Sequence, residues 1–396
     1  MKDNISKQSR LALIALAISA FAIGTTEFVI VGILPTIAEQ LSISVTKAGW
    51  LITSYALGIA IGAPIVTAKL SHWSRKQTLL LIMGIFIIGN VLGSMAASFT
   101  LLVVARVITA VAHGVFFSLG ATVATELVPK HKQGNAMSMM FSGLTIATII
   151  GVPLGTFIGQ TFGWRYTFIG VAILGMISFA ATLISVPSSI GKGNKTSLQQ
   201  LVKLIITPRI LLALLMTAFG FGGTFVLFTY LSPLLQNVSG FPEQAVSILL
   251  LAYGIAVAIG NIIGGTIANQ HPVKGLRYVF AAQTVVLFLL YWTSPLQVLG
   301  VVNIVLLGLL AFMMTPGVQV YIVSLAEKLV PSAKDVASAL NISAFNVGIA
   351  SGSAIGGIVV NHLELRDTAW VGALMVVGAI ILAIINYQLD KKQQLF

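Results

Sequence analysis

Three ionisable side chains stand inside long apolar stretches of this sequence, where any charge is costly. Glu27 is the one acidic residue well inside such a stretch, Arg106 is the one clearly internal basic residue, and His113 follows Arg106 by seven positions. A carboxylate and an imidazole can take up and release protons, and a nearby guanidinium biases the charge state of a carboxylate. We therefore interpret Glu27, Arg106 and His113 as a candidate proton-coupling site.

The three residues would lie at related depths if each stretch were a membrane-spanning helix. Glu27 lies eight residues before Pro35, roughly 12 Å at a rise of about 1.5 Å per residue, and Arg106 lies six residues after Thr100, roughly 9 Å. His113 is about two helical turns beyond Arg106 on the same helix face. Two alternatives stay open: Glu27 and Arg106 could form a purely structural ion pair, and His113 could be a packed, hydrogen-bonded residue.

Other kinds of reactive site have no support in the sequence. The chain has no cysteine, which excludes disulfides, thiolate catalysis and zinc–thiolate or iron–sulfur centres. No second carboxylate accompanies Glu27 inside the apolar stretches, and the histidines do not cluster in a metal-ligand pattern. We expect no enzymatic activity, no metal and no cofactor.

Composition indicates which elements must position these residues. Charged residues make up 8% of the 396 positions and hydrophobic residues 57%, whereas soluble domains carry about 25% charge. The lipid bilayer is therefore the solvent, and the 38 glycines fit closely packed membrane helices. A net charge of +12 could indicate nucleic acid in a soluble protein, but here the basic residues lie in short segments between apolar runs. We expect no nucleic-acid partner.

The apolar runs divide into membrane-spanning helices, each needing about 20 residues to cross about 30 Å of hydrocarbon. Cutting the chain at prolines, charges and polar segments predicts an all-α integral membrane protein with twelve spans. The predicted spans are 11–36, 46–69, 77–97, 101–125, 135–160, 165–187, 209–235, 245–268, 276–293, 297–322, 337–361 and 368–388.

The distribution of basic residues predicts the orientation. When the loops are assigned alternately to the two faces, eighteen Lys and Arg residues fall on one side and three on the other. By the positive-inside rule, both termini lie in the cytoplasm, which fits a multi-pass protein of a bacterial inner membrane.

The two halves of the chain are related by an internal repeat. A shift of 198 residues aligns Tyr55–Gly62 with Tyr253–Gly260, and it places Pro35 on Pro233. This duplication predicts two pseudo-symmetric six-helix bundles, 1–187 and 209–396, joined by a central cytoplasmic linker, 188–208. The same shift places Glu27 on Phe225, so the second half lacks the carboxylate.

Several segments resemble a known transporter family. The loop after the second span ends in Arg75-Lys76, the fifth span contains Gly151-Val-Pro-Leu-Gly155, and the first span reads Gly24-Thr-Thr-Glu-Phe up to Pro35. Together with the segment Arg106 to Gly114, these resemble the major facilitator superfamily, in particular the arabinose-efflux-permease-like branch of the drug:proton antiporter-1 family. The resemblance implies rocking of the two bundles around a central site and export of a solute against an inward flow of protons.

Five residues form a predicted conformational motif, and each has a simpler interpretation. Arg75 and Lys76 could act as a latch between states or as ordinary positive-inside anchors. Pro153 removes a backbone donor, so we expect a bend there, while Gly151 and Gly155 allow a neighbouring helix to approach. These three residues could equally serve packing alone.

The second half supplies candidates for a substrate cavity. Aromatic rings and uncharged amides suit an amphipathic ligand, although each could instead belong to the core or face lipid. The candidates are Phe225, Phe228, Tyr253, Asn341 and Asn346. We expect the cavity to be lined by spans one, four, seven and ten, with Glu27 and Arg106 facing it.

These expectations combine into one functional hypothesis. We predict a monomeric secondary active transporter in the lipid bilayer that exchanges protons for a small amphipathic solute, such as a drug, a sugar or a nucleoside-like compound. The proton gradient would supply the energy. A proton-coupled symporter or a facilitative uniporter for uptake remains the alternative, because a fold does not set the direction of transport.

Overall fold

The chain is helical throughout the part that the structure describes. The computed structural model describes residues 6–70, 73–129, 132–188, 190, 198–268, 272–331 and 334–393. Its α-helices are α1 (Lys7–Gln40), α2 (Val45–Leu57), α3 (Ala63–Leu70), α4 (Arg75–Ser94), α5 (Phe99–Glu126), α6 (Gln133–Ile146), α7 (Val152–Phe162), α8 (Trp164–Ser185), α9 (Leu198–Ile205), α10 (Pro208–Phe228), α11 (Leu231–Asn237), α12 (Glu243–Ala268), α13 (Pro272–Thr293), α14 (Gln297–Leu329), α15 (Lys334–His362) and α16 (Asp367–Gln393).

Twelve of the described helical segments are long and apolar enough to cross a membrane. Between its terminal turns, a helix satisfies its backbone donors and acceptors internally, which hydrocarbon demands. The prediction of twelve spans in an all-α membrane protein is confirmed. The second span consists of α2, a π-helical turn (Gly58–Gly62) and α3, while the fifth joins α6 and α7 through a second π-helical turn (Ala147–Gly151).

Several helices begin at a serine that caps them. The side chains of Ser6, Ser44, Ser74 and Ser98 each accept a hydrogen bond from the backbone N–H three residues ahead. Such caps satisfy donors that would otherwise be unpaired in the first helical turn. Serines just ahead of apolar runs therefore fix where α1, α2, α4 and α5 begin.

The two repeat-related prolines lie in different local structures. We predicted that the first span ends near Pro35, but α1 continues to Gln40. In the turn before Pro35, the Gly32 carbonyl accepts hydrogen bonds from Gln160 Nε2 at 3.3 Å and Ser232 Oγ at 3.4 Å. These neighbours support the helix where proline weakens it. In the second half the helix is interrupted between α10 and α11, just before Pro233.

The predicted bend at Pro153 corresponds to a local change of helix type. The π-helical turn Ala147–Gly151 lies immediately before Val152-Pro153. Because proline removes one intrahelical hydrogen bond and crowds the preceding turn, a wider turn at this place has a direct cause.

The predicted central linker, 188–208, contains a short helix where it is described. Helix α9 occupies Leu198–Ile205, and Leu204 is fully buried in the core. Residues 189 and 191–197 of this linker lie outside the described part.

Hydrogen bonds join the first six spans to the last six on one side of the molecule, where α1 ends and α2 begins. Thr36 Oγ1 donates to Glu243 Oε1 at 3.0 Å, and Ser353 Oγ donates to the Gly49 carbonyl at 3.3 Å. The Ser232–Gly32 bond lies on the same side. The loop charges predict that this side faces outward.

A buried ion pair ties the ends of the second half together. Arg209 at the start of α10 pairs with Asp390 near the end of α16, and Tyr321 of α14 donates a hydrogen bond to Asp390 at 3.1 Å. The Arg209 guanidinium also donates to the Asn386 carbonyl at 3.3 Å. The sequence pattern places Asp390 at a helix end beside two lysines, but the structure places it in a buried network.

Removing the charge of Asp390 should therefore destabilise the protein. We expect Asp390→Asn to lower the free energy of unfolding by about 3 kcal/mol, because the Arg209 charge stays buried without its partner. Thermal unfolding of the purified protein in detergent measures this loss. The matched control is Glu364→Gln, which breaks the exposed Arg366–Glu364 pair and should change stability by less than about 1 kcal/mol. Similar losses in both variants would contradict a stabilising role for the buried pair.

Candidate functional site

Glu27 lines a small cavity where the two halves meet. Its side chain is 8% exposed, and the cavity has a volume of about 10 Å³, which is room for about one water molecule. Side chains from five spans surround it: Glu27, Phe28 and Val31 of α1, Ile52, Tyr55 and Ala56 of α2, Arg106 of α5, Phe225 of α10 and Ile349 of α15. Phe225, the repeat-related counterpart of Glu27, thus faces the same space from the opposite half.

Arg106 reaches this cavity without forming an ion pair with Glu27. Its Nη1 donates to the Thr26 carbonyl at 2.7 Å, and its guanidinium carbon lies 3.8 Å from the centre of the Tyr55 ring. The residue is 1% exposed, and its Nε and Nη2 have no hydrogen-bond partner among the described residues. The ion pairs found among those residues do not join Arg106 to Glu27. A cation–π contact therefore stabilises this charge instead.

His113 lies between the carboxylate of Glu27 and the hydroxyl of Tyr55. The distance from His113 Nδ1 to Tyr55 Oη is 3.0 Å, and the distance to Glu27 Oε2 is 4.0 Å. The first is a hydrogen bond, in which the hydroxyl donates to a bare nitrogen or accepts from a protonated one. The second is too long for a hydrogen bond, so a small displacement would be needed before a proton could pass.

Tyr55 is the site residue that sequence reasoning missed. It contacts both Arg106 and His113, yet the repeat identified it only as part of a duplicated segment. Its position could have revealed it. Tyr55 begins the duplicated segment, and its counterpart in the second half, Tyr253, was among the residues predicted to line the cavity.

Close helix packing brings Tyr55 against α5. A Cβ atom added to Gly58 would lie 2.8 Å from the Ala110 Cβ, so only glycine permits this approach. On α1, Thr26 Oγ1 donates to Asn90 Oδ1 at 2.8 Å, which fixes the helix beside Glu27. Backbone proximity and one buried hydrogen bond thus position the site.

The fifth span supports α1 from another side, as its glycines predicted. A Cβ atom on Gly155 would lie 2.8 Å from Val29 Cγ2, and a Cβ atom on Gly151 would come still closer to Thr25, at 2.1 Å from its Oγ1. Pro153 is buried in the same segment. These contacts set the position of α1, and therefore of Glu27 and Phe28.

Arg75 and Lys76 do not line this cavity, and their environments differ. Arg75 is buried and pairs with Glu126, at the end of α5 in the same half, while Lys76 is only partly buried. In this conformation Arg75 therefore links two helices within the first half, and its action as a latch between states stays a prediction.

A second small cavity lies next to the first and is lined mostly by rings and aliphatic groups. It has a volume of about 20 Å³, which is also room for about one water molecule. Its lining residues are Phe28, Thr148, Val152, Phe228, Leu250, Tyr253, Val257 and Phe312. Phe28 lines both cavities, so neighbouring residues of α1 serve two different chambers.

Of the other four residues predicted to line a substrate cavity, two line one and two do not. Phe228 and Tyr253 lie in the second cavity, whereas neither Asn341 nor Asn346 lines either one. Asn341 Oδ1 accepts from Thr217 at 2.9 Å, and Asn346 Nδ2 donates to a carbonyl of its own helix at 2.9 Å. Asn346 Oδ1 has no hydrogen-bond partner among the described residues, and neither amide lines the two chambers.

We predicted a cavity lined by spans one, four, seven and ten, but further spans also line the two cavities. Spans one and seven line both cavities, but span four lines only the first and span ten only the second. Spans two and eleven complete the first chamber, and spans five and eight complete the second. Both chambers are shaped by the contact between the halves.

Comparisons with known proteins agree on one family. Residues 16–333 match the Major Facilitator Superfamily. YtbD of Bacillus subtilis (strain 168), an uncharacterized MFS-type transporter, is 54% identical over 383 residues, which is 97% of each chain. The inner membrane transport protein YdhP of Escherichia coli (strain K12) is 38% identical over 349 residues, 88% of each chain.

A solved structure provides an independent comparison of the fold. The crystal structure of a D-xylose-proton symporter superposes with a TM-score of 0.75, covers 95% of this chain and 96% of its own, and is 16% identical in sequence. At this identity the likeness concerns the fold alone.

The contact between Arg106 and Tyr55 gives a testable difference between two substitutions. Tyr55→Phe keeps a ring under the guanidinium, whereas Tyr55→Leu removes it. We expect Tyr55→Leu to lower the stability of the purified protein by about 2 kcal/mol more than Tyr55→Phe does, because a buried cation–π contact is lost. Thermal unfolding in detergent distinguishes them. Equal losses would mean that the hydroxyl bond to His113, and not the ring, carries the stabilisation.

Proposed function

The chain belongs to the Major Facilitator Superfamily and is a multi-pass membrane transporter, not an enzyme, and from this premise we propose that it is a proton-coupled antiporter that exports a small amphipathic solute. Within the superfamily we assign it to the arabinose-efflux-permease-like branch of the drug:proton antiporter-1 family. The proton gradient supplies the energy, and no cofactor takes part.

The observation that carries this proposal is the buried carboxylate of Glu27 in the cavity between the halves. Ionisable side chains at such depth are costly and are retained chiefly for transport or proton relay. Among the described residues, Glu27 has no ion-pair partner within hydrogen-bonding distance; His113 Nδ1 lies 4.0 Å away and pairs with it only when the imidazole is protonated. Arg106 and His113 stand near enough to influence its charge.

Protonation of Glu27 would couple to the rocking of the two halves. When the cavity opens outward, the carboxylate loads a proton from outside. When it opens inward, substrate binding and solvent access favour release, and each ligand shifts the same conformational equilibrium. The two fluxes are then linked in opposite directions without any covalent step.

Orientation follows from the charge distribution of the loops. With both termini in the cytoplasm, the side near Thr36 and Glu243 is the outer side, and a hydrogen bond joins the two halves there in this conformation. The protein then functions as a monomer in the bacterial inner membrane, where each chain contains its own pair of bundles.

Replacing Glu27 by glutamine tests the proton site directly. Glu27→Gln keeps the size of the side chain but cannot ionise, so we expect normal insertion and loss of export driven by a pH gradient in proteoliposomes. The matched control is Glu39→Gln, which neutralises an exposed carboxylate on the same helix and should transport as the parent does.

The direction of solute movement in the same assay separates the candidate functions. An imposed pH gradient should drive solute against the proton flow for an antiporter, and with it for a symporter. Transport unaffected by the gradient would indicate a uniporter. Full gradient-driven export by Glu27→Gln would show that this carboxylate is not the proton carrier.

A further inference from the structure

A partly buried arginine, Arg277, lies where the start of α13 meets the end of α16. Its guanidinium carbon is 3.7 Å from the centre of the Tyr387 ring and 5.9 Å from the centre of the Tyr278 ring. Its Nε is buried without a hydrogen-bond partner, and the ion pairs found among the described residues do not include it. The rings stabilise the cation and hold it in place, but they supply no negative charge.

Two lysines add positive charge at the same end of these helices. Lys274 lies about one turn before Arg277 on α13, and Lys391 lies about one turn beyond Tyr387 on α16. Both lysines are exposed, and the ion pairs found among the described residues include neither of them. Three cations from two helices in contact therefore stand at one end of the second half.

The acidic residues of these two helices are placed elsewhere. Helix α13 contains none, and α16 contains Asp367 and Asp390. Asp367 precedes Tyr387 by twenty positions, which is roughly 30 Å along the helix at a rise of about 1.5 Å per residue. Asp390 pairs with Arg209 and accepts a hydrogen bond from Tyr321. The positive charge at this end is therefore not balanced by the helices that carry it.

A stripe of exposed apolar surface continues from the cations along α13. Tyr278, Ala281 and Val285 follow Lys274 at intervals of three or four residues, and all are exposed. This spacing places them on one face of the helix. From Lys274 to Val285 the helix rises roughly 16 Å, which is about half of a hydrocarbon core of about 30 Å. The stripe thus has the length of one acyl chain in one leaflet, with the cations at its head-group end.

An anionic phospholipid is complementary to both parts of this surface. The planar guanidinium of an arginine binds phosphate oxygens in pairs, and stacking on a ring holds its plane in one orientation. Each basic residue near an anionic lipid also adds about fivefold to the affinity. A free phosphate ion would use the cations alone, whereas a lipid also places a chain on the apolar stripe.

We propose that the junction of α13 and α16 is a binding site for an anionic phospholipid, which we call the lipid site. The phosphate lies against Arg277, Lys274 and Lys391, and an acyl chain follows Tyr278 and Val285. The loop charges place this end at the cytoplasmic face, so the lipid comes from the inner leaflet. The inference goes beyond the proposed transport function and depends on neither its direction nor its substrate.

Native mass spectrometry of the detergent-purified chain tests the lipid site directly. The probes are dioleoyl-phosphatidylglycerol, which is anionic, dioleoyl-phosphatidylcholine, which is zwitterionic, and inorganic phosphate, which has no acyl chain. The fraction of protein that carries one bound probe, measured over a series of concentrations, gives each apparent Kd. We expect the parent to bind phosphatidylglycerol about tenfold more tightly than phosphatidylcholine, and not to bind inorganic phosphate measurably at the same concentrations.

Single substitutions locate the binding. Arg277→Gln and Lys391→Gln remove charges from different helices, and each should weaken the binding of phosphatidylglycerol about fivefold. Tyr387→Leu removes the ring that positions the guanidinium and should weaken this binding about threefold, whereas Tyr387→Phe keeps the ring and should leave it unchanged. The matched control is Arg10→Gln, which removes the same charge from an exposed arginine at the start of α1 and should have no effect.

Four outcomes would overturn the proposal. Equal affinity for the two lipids would mean that the negative charge of the lipid is not recognised. Equal losses in Arg10→Gln and Arg277→Gln would indicate diffuse attraction without a site. Parental binding by Tyr387→Leu would show that the stacked guanidinium is not the phosphate ligand. Inorganic phosphate that binds as tightly as phosphatidylglycerol would identify a site for a free anion. None of these measurements uses a pH gradient, so their result is independent of the antiport proposal.

Discussion

A charge buried away from water must find a partner or a cavity, and the layout of this protein follows from that cost. Arg209 and Asp390 satisfy each other through a salt bridge, with Tyr321 completing the network. Arg106 lies over the ring of Tyr55 and donates to a backbone carbonyl. Glu27 lines a cavity, and its carboxylate lies 4.0 Å from His113 Nδ1, beyond hydrogen-bonding distance. Of these three sets of charges, the one at the contact between the halves is the least compensated.

The helices can meet these demands because small residues let their backbones approach. Glycines of the fifth span pack on α1, Gly58 packs on α5, and Gly254 packs on the Thr148 backbone. Each contact fixes one wall of a chamber. In lipid, where apolar side chains gain little by leaving their surroundings, such close packing supplies much of the association energy between helices. The same contacts that stabilise the bundles therefore set the geometry of both cavities.

The sequence predicted the twelve spans and drew attention to Glu27, Arg106 and His113 because charge inside an apolar stretch is a rare and strong signal. It could not reveal the role of Tyr55, since a tyrosine in such a stretch is compatible with core, interface or lipid. Asp390 precedes Lys391 and Lys392, which is the pattern of a solvated helix end, and its partner Arg209 is distant in sequence. Asn341 and Asn346 were attractive as uncharged polar groups, but such amides also form hydrogen bonds inside a bundle, as Asn341 does with Thr217 and Asn346 Nδ2 does with its own helix.

The Arg209–Asp390 pair also has a consequence for biosynthesis. Its members are 181 residues apart, so Arg209 enters the growing chain long before its partner exists. At about 5–20 residues per second, the interval is roughly 10–35 s. Arg75 and Glu126 in the first half are both present after a much shorter stretch of synthesis. The first bundle can therefore complete its charge pairing while the second is still emerging. The second bundle cannot form its Arg209–Asp390 pair until α16 has been synthesised. It is therefore the later of the two bundles to complete its charge pairing.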